Sequence, residues 1–332
     1  MDRRAVLASV AVGVLVAARG TRAQPVLTAP RVGLLRPDAP TNPVDRAIVD
    51  AFVAGLRDAG YELDASVRVE TRYAHGRLDR LPALARELTA LPVAAIVTAN
   101  PYATRAARGV TSTIPIVVAL DYETDPVANR WIASVARPGS NITGLFLDQP
   151  EMSAKLLQLL QGCVPALKKV AVVWDEAVAK VQFSAITDAA RASGLSVRPL
   201  PVRRAGDLGA AFETAAREHA NGLVVLTSPL FSESRARAAI VELSLRHGLP
   251  GITLFTTFPA FGLLMAYGPD QPDAYRRAAT QYVARILQGA RPADLPVQRP
   301  DKYRLVLNSR TARTLGITIP QSLLLQADEI LP

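Results

Sequence analysis

Hydrophobic positions along this chain switch repeatedly between a period of two and a period of nearly four, and the switching sets its organisation. RVGLL (31–35) is a short apolar run of strand type, followed by Asn42-Pro43 and then Ile48, Val49, Phe52, Val53 and Leu56 at helical spacing. Asn42 is expected to cap that helix, Pro43 to open it and Gly60 to stop it. Next come an alternating strand VRVETRY (67–73), a helix rich in Leu and Ala (78–90), a buried strand AAIVT (94–98), a helix from Pro101 and a strand PIVVAL (115–120). The same order recurs in KVAVVWD (169–175), a helix near 182–193, LSVRPLPV (195–202), a helix from Asp207, GLVVLTS (222–228), a helix near 232–247 and PGITLF (250–255). VAAIVTANP (93–101) and NGLVVLTSP (221–229) even end alike, in a polar residue plus proline at a helix start. Strands alternating with helices of this length require right-handed crossovers and parallel sheets covered on both faces. The expected fold class is therefore α/β, with two doubly wound, Rossmann-like domains.

Between the halves lies DPVANRWIASVARPGSNITGLF (125–146), with turn chemistry at Arg137-Pro-Gly and a strand-like end. It is read as the first crossing. After residue 255 come a strand GLLMAYG (262–268), a helix near 273–288, the Pro-rich RPADLP (291–296), a strand KYRLVL (302–307) and two short helices. These fit a return across the interface better than a third domain, so several chain segments form the hinge. The expected lobes are 30–124 with 268–298, and 125–267 with 299–332.

Residues 1–23, MDRRAVLASVAVGVLVAARGTRA, have a basic start, an uncharged run from Ala5 to Ala18 and a Thr-Arg-Ala ending, which is the grammar of a secretory signal peptide cleaved after Ala23. The run is shorter than the roughly 20 residues a membrane-spanning helix needs, and no later stretch is long and apolar enough. Arg3-Arg4 leaves both the general secretory and the twin-arginine routes open. Arg3, Arg4, Arg19 and Arg22 against Asp2 also carry +3 of the net charge of +9, and the remaining bases are scattered among acids. A nucleic-acid footprint needs a basic patch or stripe, so nucleic acid is not an expected partner. Apolar residues at 49% and charged residues at 20% exclude a disordered or fibrous chain. The single cysteine, Cys163, excludes an internal disulfide, and the three histidines have no metal-ligand spacing, so no metal and no cofactor is expected.

Open parallel sheets bind ligands outside the carboxyl ends of their strands. Those ends here are Arg36–Asp38, Asn100–Tyr102, Asp121–Glu123, Trp174–Glu176, Ser228–Phe231, Phe255–Thr257 and Tyr267–Pro269. Tyr102, Tyr122, Trp174, Phe231, Phe255, Phe258, Phe261 and Tyr267 fall in or near them, which suits a ligand with a planar or apolar part, although aromatic residues there also close a core. Asn100-Pro101 and Ser228-Pro229 each set a capping side chain and a helix start at a strand end, either for a ligand carboxylate or as ordinary caps. Asp121 is a candidate partner for an ammonium group. The candidate ligand-binding residues are thus Asn100, Tyr102, Asp121, Ser228, Phe255 and Tyr267. No GxSxG elbow, phosphate loop, GxGxxG or HExxH occurs, so no catalytic residue and no enzymatic activity is expected.

GRLDRLPALARELTALPVAAIVTANP (76–101), TSTIPIVVALDYETDPV (111–127), ARPGSNITGLF (136–146), the run from GLLMAYGPDQPDAYRRAATQYVARILQG through KYRLVLN (262–308) and TARTLGITIPQSLLLQADEIL (311–331) resemble the ABC transporter substrate-binding family often labelled tryptophan/tyrosine transport. Two local patterns depart from that family: Asp121-Tyr-Glu-Thr-Asp125-Pro126 stands where members often have Gly-Asp-Pro, and Gly139-Ser140-Asn141 where many have Gly-Gly-Asn. The resemblance implies a type I periplasmic binding protein fold and a periplasmic, monomeric protein. It further implies a small carboxylate, an aromatic amino acid or related compound, trapped between the lobes and delivered to a membrane permease. The alternative is a sensory module that presents its ligand to a chemoreceptor or histidine kinase.

Overall fold

The computed structural model describes residues 29–332 apart from Asn42, Ala99, Glu123 and Glu233. The expected signal segment, the Asn42 cap and Glu123 lie outside the described residues. The first lobe runs β1 (Arg31–Arg36), α1 (Pro43–Asp58), β2 (Arg68–Tyr73), α2 (Leu81–Thr89), β3 (Val93–Thr98), α3 (Pro101–Arg108), β4 (Ile116–Asp121) and β5 (Ile142–Phe146). Its sheet has the order β2-β1-β3-β4-β5, with every pair parallel. The second lobe runs α4 (Gln149–Cys163), β6 (Lys169–Asp175), α5 (Lys180–Ala192), β7 (Ser196–Val202), α6 (Leu208–Arg217), β8 (Gly222–Val225), α7 (Pro229–Ser232), α8 (Ser234–Arg246), β9 (Gly251–Thr253) and β10 (Met265–Pro269). The chain then returns to the first lobe as α9 (Gln271–Arg277), a π-helical turn and α10 (Ala284–Leu287). It ends in the second with β11 (Tyr303–Asn308), α11 (Ser309–Thr314), α12 (Gln321–Gln326) and β12 (Glu329–Leu331). The second sheet, β12-β11-β10-β9-β8-β6-β7, repeats the first lobe's order from β7 to β10.

Apolar faces of the helices explain the layers. Ile48, Phe52 and Leu56, four residues apart on α1, form one core of the first lobe with Tyr275 and Tyr282, and Leu84, Leu88, Ala103 and Ala107 form the core on the other face. In the second lobe Leu156, Leu160 and Ile186 pack one face of the sheet, Phe212 and Ile240 the other. The helix expected near 273–288 is docked on the first lobe. Gly55 lets α9 approach closely, since a Cβ there would stand 2.5 Å from the Arg276 carbonyl oxygen.

Two expectations need correction, and one strand is added. The first crossing does not begin at 125: β5 pairs in parallel with β4, so residues 125–146 belong to the first lobe and the chain crosses just after Phe146. Trp131 and Ile132 fold back onto the first lobe's core, and Gly144 at φ 132° lets β5 close on β4, where a Cβ would meet the Val118 oxygen at 2.1 Å. The second sheet is also not wholly parallel, because β10 and β11 run antiparallel; and β12, which the sequence reading did not resolve, pairs beyond β11 at the edge.

The crossing segments are fastened to one another. Arg299 pairs with Asp148 and, at 3.1 Å, with Glu151; Lys302 pairs with Asp273 at 2.6 Å and Arg277 with Asp301 at 2.7 Å. Among the described residues no helix is long and apolar enough to cross a membrane.

Candidate ligand-binding cleft

In each lobe the strand order reverses beside the first strand, between β1 and β3 and between β6 and β8, and the helices that follow these strands leave on opposite faces. That opens a crevice at the carboxyl ends. The two crevices face each other. Tyr122, just beyond β4, meets Phe255, just beyond β9, edge to face with ring centroids 6.4 Å apart, and Phe255 stacks on Phe258 at 5.3 Å. Gln149, at the start of α4, donates its side-chain amide to the Tyr122 carbonyl oxygen.

At the end of β1, Arg36 is only 2% exposed. Its Nε donates to Asp45 Oδ1 at 2.7 Å, a second guanidinium nitrogen reaches the same carboxylate, a third donates to the Tyr275 hydroxyl, and the guanidinium lies 5.0 Å from the Tyr275 ring centroid. Burial pushes the Tyr275 phenol far above its ordinary range. The second Asp45 oxygen is buried without a hydrogen-bond partner.

Asn100 ends β3 as the cap of α3, its side chain accepting from the Ala103 amide at 3.0 Å. Thr104 hydrogen bonds to Thr98 (2.8 Å) and to the Asn100 carbonyl (2.9 Å), which fixes the turn. Tyr102 is half-buried, with the Arg105 guanidinium 5.6 Å from its ring centroid. Asp121 is fully buried and one of its carboxylate oxygens accepts from the Thr124 amide at 2.9 Å, so it also caps its own loop. Asp125 does the same for Val127 and Ala128.

In the facing crevice Ser228 donates to Asp175, the last residue of β6, at 2.6 Å, and accepts from the Leu230 amide at 3.1 Å. The Gln182 side chain, on α5, holds both the amide and the carbonyl of Thr227 (3.0 and 3.3 Å), while the buried Thr227 hydroxyl has no partner. A buried polar atom left unpaired costs about 1–3 kcal/mol, and a ligand or water that reaches it recovers that cost. Asn100, Asp121, Ser228 and Phe255 thus stand at carboxyl ends of strands, two per lobe. Tyr267 stands apart from this set. It lies within β10, stacked on Tyr303 at 5.5 Å, with the Lys155 ammonium of α4 5.8 Å from its ring centroid. Phe231 and Phe258 are buried in the second-lobe core, and Trp174 stacks on Phe183 at 4.4 Å.

Sequence reasoning placed Tyr122 among the strand-end aromatic residues and Arg36 and Asp175 at strand ends, but it missed the Ser228–Asp175 pair and the Arg36–Asp45–Tyr275 cluster. The usable signal was an arginine closing the apolar run Val32–Leu35, followed by an acid in the first turn of the next helix. No group of His, Cys, Asp and Glu among the described residues is arranged for a metal. Burial pushes the Cys163 thiol up to about 11, which leaves it an inert core residue.

Burial, and after it Glu151, push the Tyr303 phenol up to about 12. An unfolded tyrosine ionises near pH 10, so the stability that the neutral phenol confers is complete below pH ~10 and is lost as pH rises toward about 12. Urea unfolding from pH 9 to 12 is expected to show this loss, and Tyr303→Phe is expected to reduce its slope. An unchanged slope would place Tyr303 in solvent.

A model of ABC transporter substrate binding proteins matches residues 41–331. The chain belongs to that family. This ABC transporter substrate-binding protein is 21% identical over 278 residues to a "Tyrosine-binding protein" of Clostridioides difficile, covering 80% of this chain and 75% of the relative. Among solved structures it resembles a Streptococcus pneumoniae ABC domain in complex with L-Trp, with a TM-score of 0.81 and 22% identity over 91% of this chain and all of the other. A conserved domain protein from Vibrio cholerae is equally similar, with a TM-score of 0.81 and 24% identity over 91% and 99% of the two chains. The fold is that of type I periplasmic binding proteins, and the substrate-binding protein is a small-molecule binder rather than an enzyme.

Proposed function

We propose that this protein is the exported binding component of an ABC importer, which takes up an aromatic amino acid or a related small carboxylate between its lobes and hands it to the membrane permease. The observation that carries this reading is the Tyr122–Phe255 contact, which sets one aromatic face from each lobe at the carboxyl ends of facing sheets. A planar ligand entering there gains contacts from both lobes, and a ligand that touches both favours the closed arrangement. The L-Trp bound to the pneumococcal structure and the tyrosine in the name of the clostridial relative support the same ligand class. Asn100, Tyr102, Asp121 and Ser228 are proposed as the polar and aromatic surround of the ligand, with Tyr267 in an outer position. Residues 1–23 are proposed as the export signal, so the mature chain should begin at Gln24 by mass spectrometry of the periplasmic form.

Thermal denaturation of the mature chain with L-tryptophan, L-tyrosine, indole-3-acetate and aliphatic amino acids tests the ligand class. A cognate ligand at 100 times its dissociation constant is expected to stabilise by roughly 2.7 kcal/mol. Stabilisation by aliphatic ligands alone would remove the aromatic reading while leaving the binding role intact.

A further inference from the structure

Beside the hinge, and lined by none of Asn100, Tyr102, Asp121, Ser228, Phe255 or Tyr267, lies a groove of about 770 Å³ whose walls come from both lobes. The first lobe contributes the loop from Thr124 to Val127 and Val135; the second contributes α5 from Lys180 to Asp188; the crossing segments form the floor. We propose that this groove is a second ligand site, distinct from the cleft, for a small apolar carboxylate.

Apolar surface is the first ground. Val127, Val135 and Val181 are 41%, 52% and 43% exposed, and all three line this groove, one or more on each wall. Large side chains left in water are ordinary when scattered, whereas a cluster in one concavity of ligand-sized volume marks a binding surface.

Charge selects the head group. Two acids of the groove have cationic partners, Asp148 in Arg299 and Asp188 in Arg191 at 3.0 Å, and the third, Asp125, turns one carboxylate oxygen to the amides of Val127 and Ala128. Lys180 lines the same groove and makes no ion pair with another described residue. It opens α5, whose cap residue, Ala179, offers no side-chain acceptor to the first turn, so the partial positive charge of that helix end adds to the ammonium. Thr124, also lining the groove and only 4% exposed, has a hydroxyl without a hydrogen-bond partner. An anion with an aliphatic or aromatic body meets all of these features, whereas a cation would meet Lys180.

Octanoate is the probe. Calorimetric titration into the mature protein is expected to give saturable one-to-one binding that Val181→Glu and Lys180→Glu each weaken by at least tenfold, and that Phe255→Ala leaves within twofold. Val181 and Lys180 are surface positions, and a melting temperature unchanged from wild type excludes misfolding. Octanoate binding that survives both groove substitutions, binding abolished by Phe255→Ala, or no saturable binding would each overturn the proposal. The cleft reading is tested separately, by aromatic ligands with the same Val181→Glu protein.

Discussion

Asp45→Ala is expected to lower the free energy of unfolding by about 3–5 kcal/mol, the cost of stranding a buried charge. Arg36 is one of the few charged side chains in the core, and its fork is filled by Asp45 and Tyr275. With the carboxylate gone, the guanidinium stays charged, because it does not deprotonate in proteins. Its nearest acid is then Asp38, 3.8 Å away and more exposed. The loss reaches beyond one pair. Asp45 sits in the first turn of α1, where an acid is favoured by the helix dipole, and Tyr275 sits on α9, so the cluster ties the first strand, the first helix and the returning helix together. Urea unfolding followed by circular dichroism measures the effect. The double substitution Arg36→Met with Asp45→Leu is expected to recover most of the loss, since replacing both partners by apolar groups removes the stranded charge. A loss below 1 kcal/mol for Asp45→Ala would mean that Arg36 reaches water.

Phe255→Ala is expected to weaken binding of the cognate aromatic ligand by about 30-fold or more, with little change in fold. Truncating a central aromatic anchor commonly costs 2 kcal/mol or more, and Phe255 carries two ring contacts, to Tyr122 across the cleft and to Phe258 behind it. Because Phe255 is only half-buried, its removal leaves no sealed cavity. Ser228→Ala is expected to act more weakly on the ligand, and partly by freeing Asp175, whose carboxylate it now holds at 2.6 Å. Titration calorimetry of the two variants measures both effects. Equal affinities of Phe255→Ala and wild type would place the ligand elsewhere.

The duplicated strand order was legible because buried parallel strands are short continuous apolar runs, as in IVVALD and KVAVVWD, flanked by helices of regular period. The sheet that NITGLF joins was not legible. An apolar run reports that a strand exists, while its partner depends on where the intervening loop packs, here through Trp131 and Ile132. The antiparallel β10–β11 pair was hidden for the same reason, since a whole helix of the other lobe intervenes. Strand-end positions such as Asn100, Asp121 and Ser228 could be named from local pattern alone. Their partners could not: Ser228 and Asp175 are 53 residues apart, Arg36 and Tyr275 are 239 apart, and Tyr122 meets Phe255 only across the two lobes. Local pattern also could not decide between a cap and a ligand contact, and Asn100 and Asp121 do serve as caps.

Ligand capture between the lobes is tested most directly by a crystal structure of the mature protein with the ligand that stabilises it most in the thermal series. One molecule is expected between the lobes, its planar part against Tyr122 and Phe255 and its carboxylate within hydrogen-bond distance of the strand ends at Asn100 or Ser228. A ligand seated wholly within one lobe, or bound with both of these rings out of contact, would contradict it.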